Sequence, residues 1–203
     1  MSGGAAVLNE AENPIELLLN WLLEAKASDG DNYNAMALAT ADFLGFPNVR
    51  MMLLKEVDER GLSFFSNEDS DKGREIAANP RSAFALHLRL LRRQIRGRGY
   101  VERLSSQDSD LYFATRPRES QIGAWVSLQS RPLPDQSTTE DGFKNIAERY
   151  SGKSVPRPPY WIGYRLSPLV IEFWLDKPHR LHERLRFFRE SVDDNWRKVF
   201  LYP

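Results

Sequence analysis

Apolar residues near the N-terminus recur at helical spacing. The segment IELLLNWLLEAKA follows Asn13-Pro14 and is apolar at Ile15, Leu18, Leu19, Leu22 and Leu23. Proline is tolerated in the first turn of a helix, because its missing N–H would have no intrahelical partner there. The pattern predicts an amphipathic helix that packs on the core, preceded by a flexible tail over residues 1–12.

Much of the remaining chain alternates apolar and polar positions as β-strands do. The predicted strands are AMALATAD and NVRMMLLKEV, with Gly45 and Pro47 between them, then LSFFSN, RSAFALHL and RRQIRGRGYVERL. The segment DERG, residues 58–61, predicts a hairpin turn with Gly61 in the left-handed region. The last third, residues 160–190, alternates well enough to predict three short strands.

Capping residues and helix breakers predict three further helices. One runs from about Ser70 to Asn79-Pro80, a second from Ser105 to Ala114, and a third lies around residues 141–150. The stretch RPRESQIGAWVSLQS, residues 116–130, shows neither a clean helical nor a clean strand period. Strands at hairpin spacing with few helices favour a mostly β protein, an antiparallel barrel with peripheral helices that forms one domain over residues 13–203.

Composition excludes several kinds of site. The chain has no Cys, which removes disulfides, thiolate metal sites and cysteine nucleophiles and fits a reducing compartment. Its three His are too scattered to predict a metal site. No apolar run reaches the roughly 18 residues that span a bilayer, and the N-terminus lacks the basic start of a signal peptide, so we expect a cytoplasmic protein.

Charge narrows the choice of partner. The 28 Lys and Arg residues balance the 28 Asp and Glu residues, so an anionic partner would have to be bound by a local cluster. One such cluster is RLLRRQIRGRGYVER, residues 89–103, which suits either a nucleic-acid-binding strand or, as we favour, a solvated strand face. The single aromatic residue, Tyr100, and the neutral chain argue against nucleic acid.

Three other segments carry candidate chemistry. In RMMLLK, residues 50–55, strand alternation points the two cations to opposite faces unless the strand ends between them. The segment SNEDSDKGR, residues 66–74, offers hydroxyls, backbone N–H groups and a Lys at a helix start, as a phosphate requires, or it is an ordinary capped helix. In HRLHERLRFFRE, strand geometry would place Arg180, His182 and Arg184 in one row, able to bind an anionic ligand, or on a charged edge strand.

Taken in order, these motifs resemble the pyridoxamine 5′-phosphate oxidase family of FMN enzymes. The resemblance runs from about Pro14 to Pro203 and rests on RMMLLK, the SN…S.KG segment, RRQ at residues 92–94, RPRESQIGAWVSLQS, IEFW and HRLHERL. It implies an FMN-binding split β-barrel and a homodimer in which both subunits contribute to two FMN sites. It further implies that residues 116–130 serve two anionic ligands, which explains their irregular pattern.

The resemblance also implies roles for individual residues. The implied FMN site comprises Arg50, Met51, Met52, Leu53, Lys55, Phe65, Ser66, Ser70, Asp71, Lys72, Gln94, Gln129, Ser130, Trp174 and Arg184. The implied substrate site comprises Lys55, Tyr112, Arg116, Ser120, Arg180 and His182. Arg180 and His182 would lie around the pyridine ring as the catalytic pair.

The implied reaction is the oxidation of pyridoxine or pyridoxamine 5′-phosphate by O2 to pyridoxal 5′-phosphate, with H2O2 and, from the amine, NH3 as products. Two alternatives are a related FMN oxidase of phenazine-type precursors and a non-catalytic flavin-binding module. One position departs from the family pattern. Asp71 stands where Ser-Arg-Lys usually supplies an Arg, and its carboxylate would repel a nearby phosphate unless Arg74 compensates.

Overall fold

Nine strands form one antiparallel sheet in the computed structural model, which describes residues 8–203. The strands are β1 (Ala35–Ala41), β2 (Pro47–Leu53), β3 (Glu56–Asp58), β4 (Gly61–Asn67), β5 (Arg81–Leu88), β6 (Arg93–Arg103), β7 (Trp161–Leu175), β8 (Glu183–Phe188) and β9 (Arg197–Leu201). The main helices are α1 (Pro14–Asp29), α2 (Asp71–Ala78), α3 (Ser106–Ala114), α4 (Arg118–Val126) and α5 (Ser137–Arg149).

Strand β7 organises the sheet. The strand order is β2-β1-β5-β6-β7-β4-β3, and β8 and β9 extend from β7 as a second branch. One edge of β7 pairs with β6 along its length, whereas the other edge pairs with β4 up to Leu166 and with β8 from Val170 onward. This change of partner opens the sheet into a curled half-barrel. The predicted mostly β fold, an antiparallel split barrel with peripheral helices, is confirmed.

The prediction of three short strands in the last third is wrong. Residues 161–175 form one strand of 15 residues, and within residues 160–190 only β8 follows it. Pro168 sits opposite a register shift between Arg98 and Gly99, where the missing proline N–H disrupts no regular ladder. A Cβ on Gly99 would lie 2.0 Å from the Ser167 carbonyl oxygen, so the close approach of β6 and β7 there requires glycine.

The predicted starts of α1, α2 and α3 and the predicted hairpin between β3 and β4 are confirmed. The Asn13 side chain accepts from the Ile15 N–H at 2.8 Å, and the Ser70 and Ser105 hydroxyls cap α2 and α3. Gly61 has a φ of 142° at the turn between β3 and β4. The third predicted helix exists as α5 but begins four residues earlier, at Ser137.

Residues 116–130 contain a helix that their pattern did not predict. Helix α4 buries only Ile122 fully, so its sequence carries a weak apolar period. Together with Phe113, Val155 and Trp161, Ile122 forms a small core beneath α3, α4 and α5. The main core lies between α1 and the sheet, with Trp21 and Phe173 in edge-to-face contact at 5.2 Å.

The flexible tail predicted over residues 1–12 is too long. Residues 1–7 lie outside the described part, but Leu8 is fully buried in the main core. The Lys198 ammonium donates to the Ala11 carbonyl at 2.8 Å. The folded unit therefore reaches back at least to Leu8. Across residues 8–203, no helix is both long and apolar enough to cross a membrane.

Candidate active site

A buried lysine stands at the start of α2. The Lys72 side chain is almost inaccessible, and its Nζ donates to Gln129 Oε1 at 2.7 Å and to the Ser66 and Ser70 hydroxyls at 3.2 Å each. Burial, together with the nearby Arg50 charge, lowers the pKa of the Lys72 ammonium to about 8. Among the described residues, no carboxylate lies within ion-pair distance of Nζ. A buried cation with only neutral acceptors fits an absent anionic group such as a phosphate.

Arg50 reaches this region from β2 and is held by a carboxylate. Its guanidinium forms an ion pair with Glu75 Oε2 at 3.0 Å and donates to the Leu38 carbonyl at 3.3 Å. Glu75 also accepts from Asn48 Nδ2 at 3.0 Å. Sequence reasoning missed Glu75, which fixes the side chain of Arg50 against α2.

Asp71, the residue that departs from the family pattern, is paired with a cation. Its carboxylate forms an ion pair with Arg74, one helical turn further on, and both side chains are about half exposed. The Asp71 backbone N–H donates to the Ser130 hydroxyl at 3.2 Å, which brings residues 129–130 against the start of α2. Arg74 therefore neutralises Asp71 locally.

A second cation lines a neighbouring cavity of about 380 Å³. The Arg116 guanidinium lies 4.7 Å from the centre of the Trp161 ring, and its Nη1 is buried without a hydrogen-bond partner. Burial lowers the pKa of Arg116. Ser66 and Gln129, two partners of Lys72, line the same cavity, as does Ser120. The two cations thus serve adjoining parts of one cleft.

An aromatic stack forms one wall of this cleft. The Phe65 ring stacks on Tyr112 at 4.0 Å and on Trp161 at 5.2 Å between ring centres. Met52 also lines the cavity, whereas Met51 and Leu53 are exposed on the opposite face of β2. Lys55 is exposed beside a separate cavity of about 160 Å³ near α1, so one chain does not bring it to Arg116.

The other predicted flavin ligands form a row across three strands. Gln94 on β6 pairs in register with Trp174 on β7, which pairs with Arg184 on β8. The Arg184 guanidinium donates to Glu172 Oε1 at 2.7 Å and 2.9 Å and to the Tyr202 carbonyl at 3.0 Å. The row therefore presents an amide, an indole and a fixed guanidinium together.

Glu172 is a buried hub that sequence reasoning missed. Its carboxylate, 3% exposed, forms ion pairs with Arg96, Arg184 and Arg186 at 2.7 Å to 3.0 Å. Burial alone would raise the pKa of the Glu172 carboxyl, but hydrogen bonds from the three guanidinium groups hold it below its ordinary value. Glu172 thus fixes Arg184 in place.

The predicted strand row of Arg180, His182 and Arg184 is wrong. Residues 178–180 form a 3₁₀ turn, and β8 begins only at Glu183. His179 and Arg180 have φ angles of 60° and 61°, a conformation that costs a non-glycine residue on the order of 1 kcal/mol. Arg180 is therefore exposed on a strained turn, while the His182 ring lies 4.6 Å from that of Trp174.

The basic stretch of residues 89–103 is largely paired within the chain. Arg92 pairs with Asp176, Arg93 with Glu24, Arg96 with Glu172 and Arg103 with Glu68. These pairs match the interpretation of a strand face whose arginines act locally.

One chain does not unite the two sets of predicted flavin ligands. The Lys72 set adjoins Trp161 at the start of β7, and the Trp174 set lies at its end. These ends are roughly 40 Å apart along the strand, at about 3.3 Å per residue. Either the sets serve different ligands, or a second chain brings them together.

The fold and these clefts define a split-barrel protein with buried cations suited to phosphorylated ligands. Two family descriptions match the chain: "Pyridoxamine 5'-phosphate oxidase" over residues 25–150 and "Pyridoxine 5'-phosphate oxidase C-terminal dimerisation region" over residues 161–203. The chain therefore belongs to the pyridoxamine 5′-phosphate oxidase family, and the resemblance read from its motifs is confirmed.

Individual relatives support this family assignment. The chain is 50% identical over 193 residues to the pyridoxine/pyridoxamine 5′-phosphate oxidase of Azorhizobium caulinodans, covering 95% of this chain and 91% of that protein. It is 48% identical to the protein of the same name from Bartonella quintana, covering 96% and 94%. The crystal structure of PhzG from Burkholderia lata 383 in complex with tetrahydrophenazine-1-carboxylic acid is similar with a TM-score of 0.91 and 30% identity, covering 97% and 96%.

Proposed function

We propose that this chain is an FMN-dependent oxidase that converts pyridoxine and pyridoxamine 5′-phosphate to pyridoxal 5′-phosphate in vitamin B6 metabolism. The observation that carries the proposal is the cleft with two separate cations, the buried Lys72 and the half-buried Arg116, neither of which contacts a carboxylate among the described residues. An enzyme of this kind binds two phosphates, one on its cofactor and one on its substrate. The absence of Cys fits the cytoplasmic location that we include in the proposal.

The Lys72 set fits the FMN phosphate. A phosphate dianion accepts strong charge-assisted hydrogen bonds, and an ammonium flanked by Ser66, Ser70 and the helix N-terminus supplies donors for it. Arg50, Gln129 and Ser130 adjoin the same region. Phe65 and Met52 offer apolar surface beside it, and Gln94, Trp174 and Arg184 would contact the flavin.

The Arg116 set fits the substrate phosphate. A guanidinium binds phosphate through two parallel N–H groups, and Nη1 of Arg116 is buried with no partner of its own. Ser120 lines the cavity, and Tyr112 lies on its aromatic wall. The resemblance assigns Lys55 to the same phosphate, and Arg180 and His182 would lie around the pyridine ring.

When bound, FMN would supply the redox chemistry, a two-electron oxidation of the substrate at C4′ with O2 as the final acceptor and H2O2 as the product. The chain supplies orientation and proton handling. His182 would accept or hold a proton near C4′, and Arg180 would fix the ring, while Trp174 limits water on one side. Water hydrolyses the imine formed from the amine substrate and releases NH3.

A homodimer would unite the two ligand sets. The sheet face formed by Ala37, Ala39, Val49, Ala83 and Ala85 lines an open cavity of about 440 Å³, and Met51 and Leu53 extend this apolar face. A twofold axis through such a face creates two identical clefts, each using the Lys72 set of one chain and the Trp174 set of the other. The match of residues 161–203 to a dimerisation region supports this arrangement.

Substitution of Ala39 by Arg tests the dimer. We expect wild type to sediment as a dimer, and Ala39→Arg to shift it toward monomer with at least a tenfold loss of FMN affinity, because a buried charge opposes association. Ala27→Arg, on the exposed side of α1, is the matched control. A monomeric protein that still binds FMN stoichiometrically would refute the shared site.

FMN affinity should depend on pH through Lys72. Its pKa is about 8 in the FMN-free protein, and a bound phosphate favours the charged ammonium, so affinity should fall by up to tenfold per pH unit above pH 8. Fluorescence titrations of FMN from pH 7 to pH 10 measure this. Lys72→Arg, which stays charged, should show no such decline, and a decline of equal size in that variant would contradict the assignment.

Substitution of Asp71 by Arg should tighten FMN binding, because it removes a carboxylate and frees Arg74 near the phosphate. The gain should be several-fold and larger at low salt, where exposed charges are less screened. FMN titration at two salt concentrations, with Arg74→Ala as a comparison, measures it. Unchanged affinity would mean that Asp71 has no influence on cofactor binding.

Oxygen uptake tests the function itself. Purified protein with added FMN should consume O2 with both phosphorylated vitamers, release H2O2 and form pyridoxal 5′-phosphate, but respond weakly to the unphosphorylated vitamers. A yellow protein that is inert would favour a flavin-binding module. Preference for a phenazine precursor such as tetrahydrophenazine-1-carboxylic acid would favour the second candidate, which the similarity to PhzG at 30% identity supports less strongly than the relatives near 50% support the vitamers.

A further inference from the structure

The imidazole of His182 has two competing partners on one nitrogen. The Lys177 backbone N–H donates a hydrogen bond to His182 Nδ1 at 3.2 Å, and Asp176 Oδ1 lies 3.0 Å from the same nitrogen. A neutral imidazole nitrogen is either a donor or an acceptor. Asp176 can only accept the proton of Nδ1, whereas the Lys177 N–H can only donate to its lone pair. The position of one proton therefore decides which contact forms.

Asp176 is itself held in place from the opposite side. Arg92 Nε donates to Asp176 Oδ2 at 2.7 Å, and the Asp176 N–H donates to the Arg92 carbonyl at 3.1 Å. Both the Asp176 and His182 side chains are about one-fifth exposed. The turn between β5 and β6 thus fixes the carboxylate beside the His182 ring, whose centre lies 4.6 Å from that of Trp174.

We expect the contact of Nδ1 with Asp176 to form in preference to the one with Lys177. A hydrogen bond from an imidazole to an ionised carboxylate is charge-assisted and roughly twice as strong as one between neutral groups. In the other tautomer, the lone pair of Nδ1 would face an Asp176 oxygen at 3.0 Å. Lys177, the cation next to Asp176 in the chain, is already paired with Glu183 at 3.0 Å.

We propose that Asp176 is a positioning residue that holds His182 in the Nδ1–H tautomer. Nε2 then carries the lone pair and is free to accept a proton or a hydrogen bond from the substrate. This inference rests on the proposed function, in which His182 contacts the substrate. The tautomer itself is a property of the chain alone.

Asp176→Asn tests the inference, because Arg92 restricts the orientation of the new amide. Arg92 has only donors, so the amide oxygen must face it and the amide NH2 must face His182. The NH2 then donates to Nδ1 and moves the proton to Nε2. Glu183→Gln is the matched control, since it removes a neighbouring carboxylate that pairs with Lys177 rather than with His182.

Two measurements on the FMN-loaded protein decide the question. Long-range nitrogen–proton NMR spectra, at a pH where imidazole is neutral, report the tautomer of His182, and the chain has only three His to assign. We expect Nδ1–H in wild type and Glu183→Gln, and Nε2–H in Asp176→Asn. With pyridoxine 5′-phosphate, kcat of Asp176→Asn should fall by about 10- to 100-fold with KM and FMN content nearly unchanged, and Asp176→Glu should restore part of it.

Each outcome is decisive. Nε2–H in the wild type would overturn the proposal, because the Lys177 N–H would then be the true partner. A tautomer change with unaltered kcat would overturn the role of Asp176 in the reaction. If wild type oxidised no phosphorylated vitamer, the proposed function would fail, while the NMR result would still decide whether Asp176 sets the tautomer.

Discussion

Replacing Lys72 with Met is expected to weaken FMN binding by about 100-fold while leaving the FMN-free protein at least as stable as wild type. The loss of affinity follows from the geometry, because the buried Nζ has only three neutral acceptors and would gain a phosphate partner. A charge-assisted hydrogen bond of this kind contributes roughly 1.5–3 kcal/mol, which is about 10- to 150-fold in affinity.

The stability effect has the opposite sign. Burial and the Arg50 charge lower the pKa of Lys72 from 10.5 to about 8, which means that the buried ammonium costs on the order of 3 kcal/mol below pH 8. Met removes this cost. It also leaves Gln129 and two hydroxyls without a donor, so we expect a net gain of about 1 kcal/mol in the free energy of unfolding. That corresponds to a rise in Tm of roughly 2–4 °C for a chain of this size.

The pH dependence gives an independent check. A lysine whose folded pKa is lowered binds fewer protons than in the unfolded chain between pH 8 and pH 10.5. Wild type should therefore gain stability relative to Lys72→Met as pH rises through that window. Thermal unfolding with and without FMN measures both effects, with Lys144→Met on the exposed face of α5 as control. A variant that is less stable without FMN, yet binds FMN normally, would show that Lys72 is purely structural.

The local elements of this fold could be predicted because local chemistry determines them. Ser70 and Ser105 cap helices where a hydroxyl precedes an apolar period, and Gly61 marks a turn that needs positive φ. The failures have equally physical causes. Ser167-Pro168 resembles a strand break, but the register shift at Arg98 and Gly99 absorbs it, so β7 continues.

The sequence predicted the individual motifs of the candidate site but not the contacts between residues of different motifs. Glu75 and Glu172 fix Arg50 and Arg184, yet each lies far along the chain or on a different strand from its partner. Such pairs depend on strand register, which no local pattern encodes. Arg180 was misplaced because alternation alone cannot reveal that two consecutive residues adopt positive φ.

Replacing Arg116 with Leu is expected to raise KM for pyridoxine 5′-phosphate by about 100- to 1,000-fold, with FMN content nearly unchanged. The guanidinium is half-buried over Trp161 and its Nη1 lacks a partner, so part of the desolvation cost of this charge is met before the substrate binds. Losing one partner of a buried charge pair costs roughly 2–5 kcal/mol, or about 30- to 5,000-fold, a range that includes the expected change.

The comparison that isolates the phosphate uses two substrates and two further variants. Unphosphorylated pyridoxine should have a poor KM that Arg116→Leu barely changes, because the lost contact is to the phosphate alone. Arg116→Lys should fall between wild type and Leu, since it keeps a charge but loses the planar stack on Trp161. Arg118→Leu is the matched control on α4, because that guanidinium binds the Tyr150 and Lys153 carbonyls at 2.6 Å and 2.8 Å. Loss of FMN with an unchanged KM in Arg116→Leu would reverse the assignment, since Arg116 would then bind the cofactor phosphate and Lys72 would be free for the substrate.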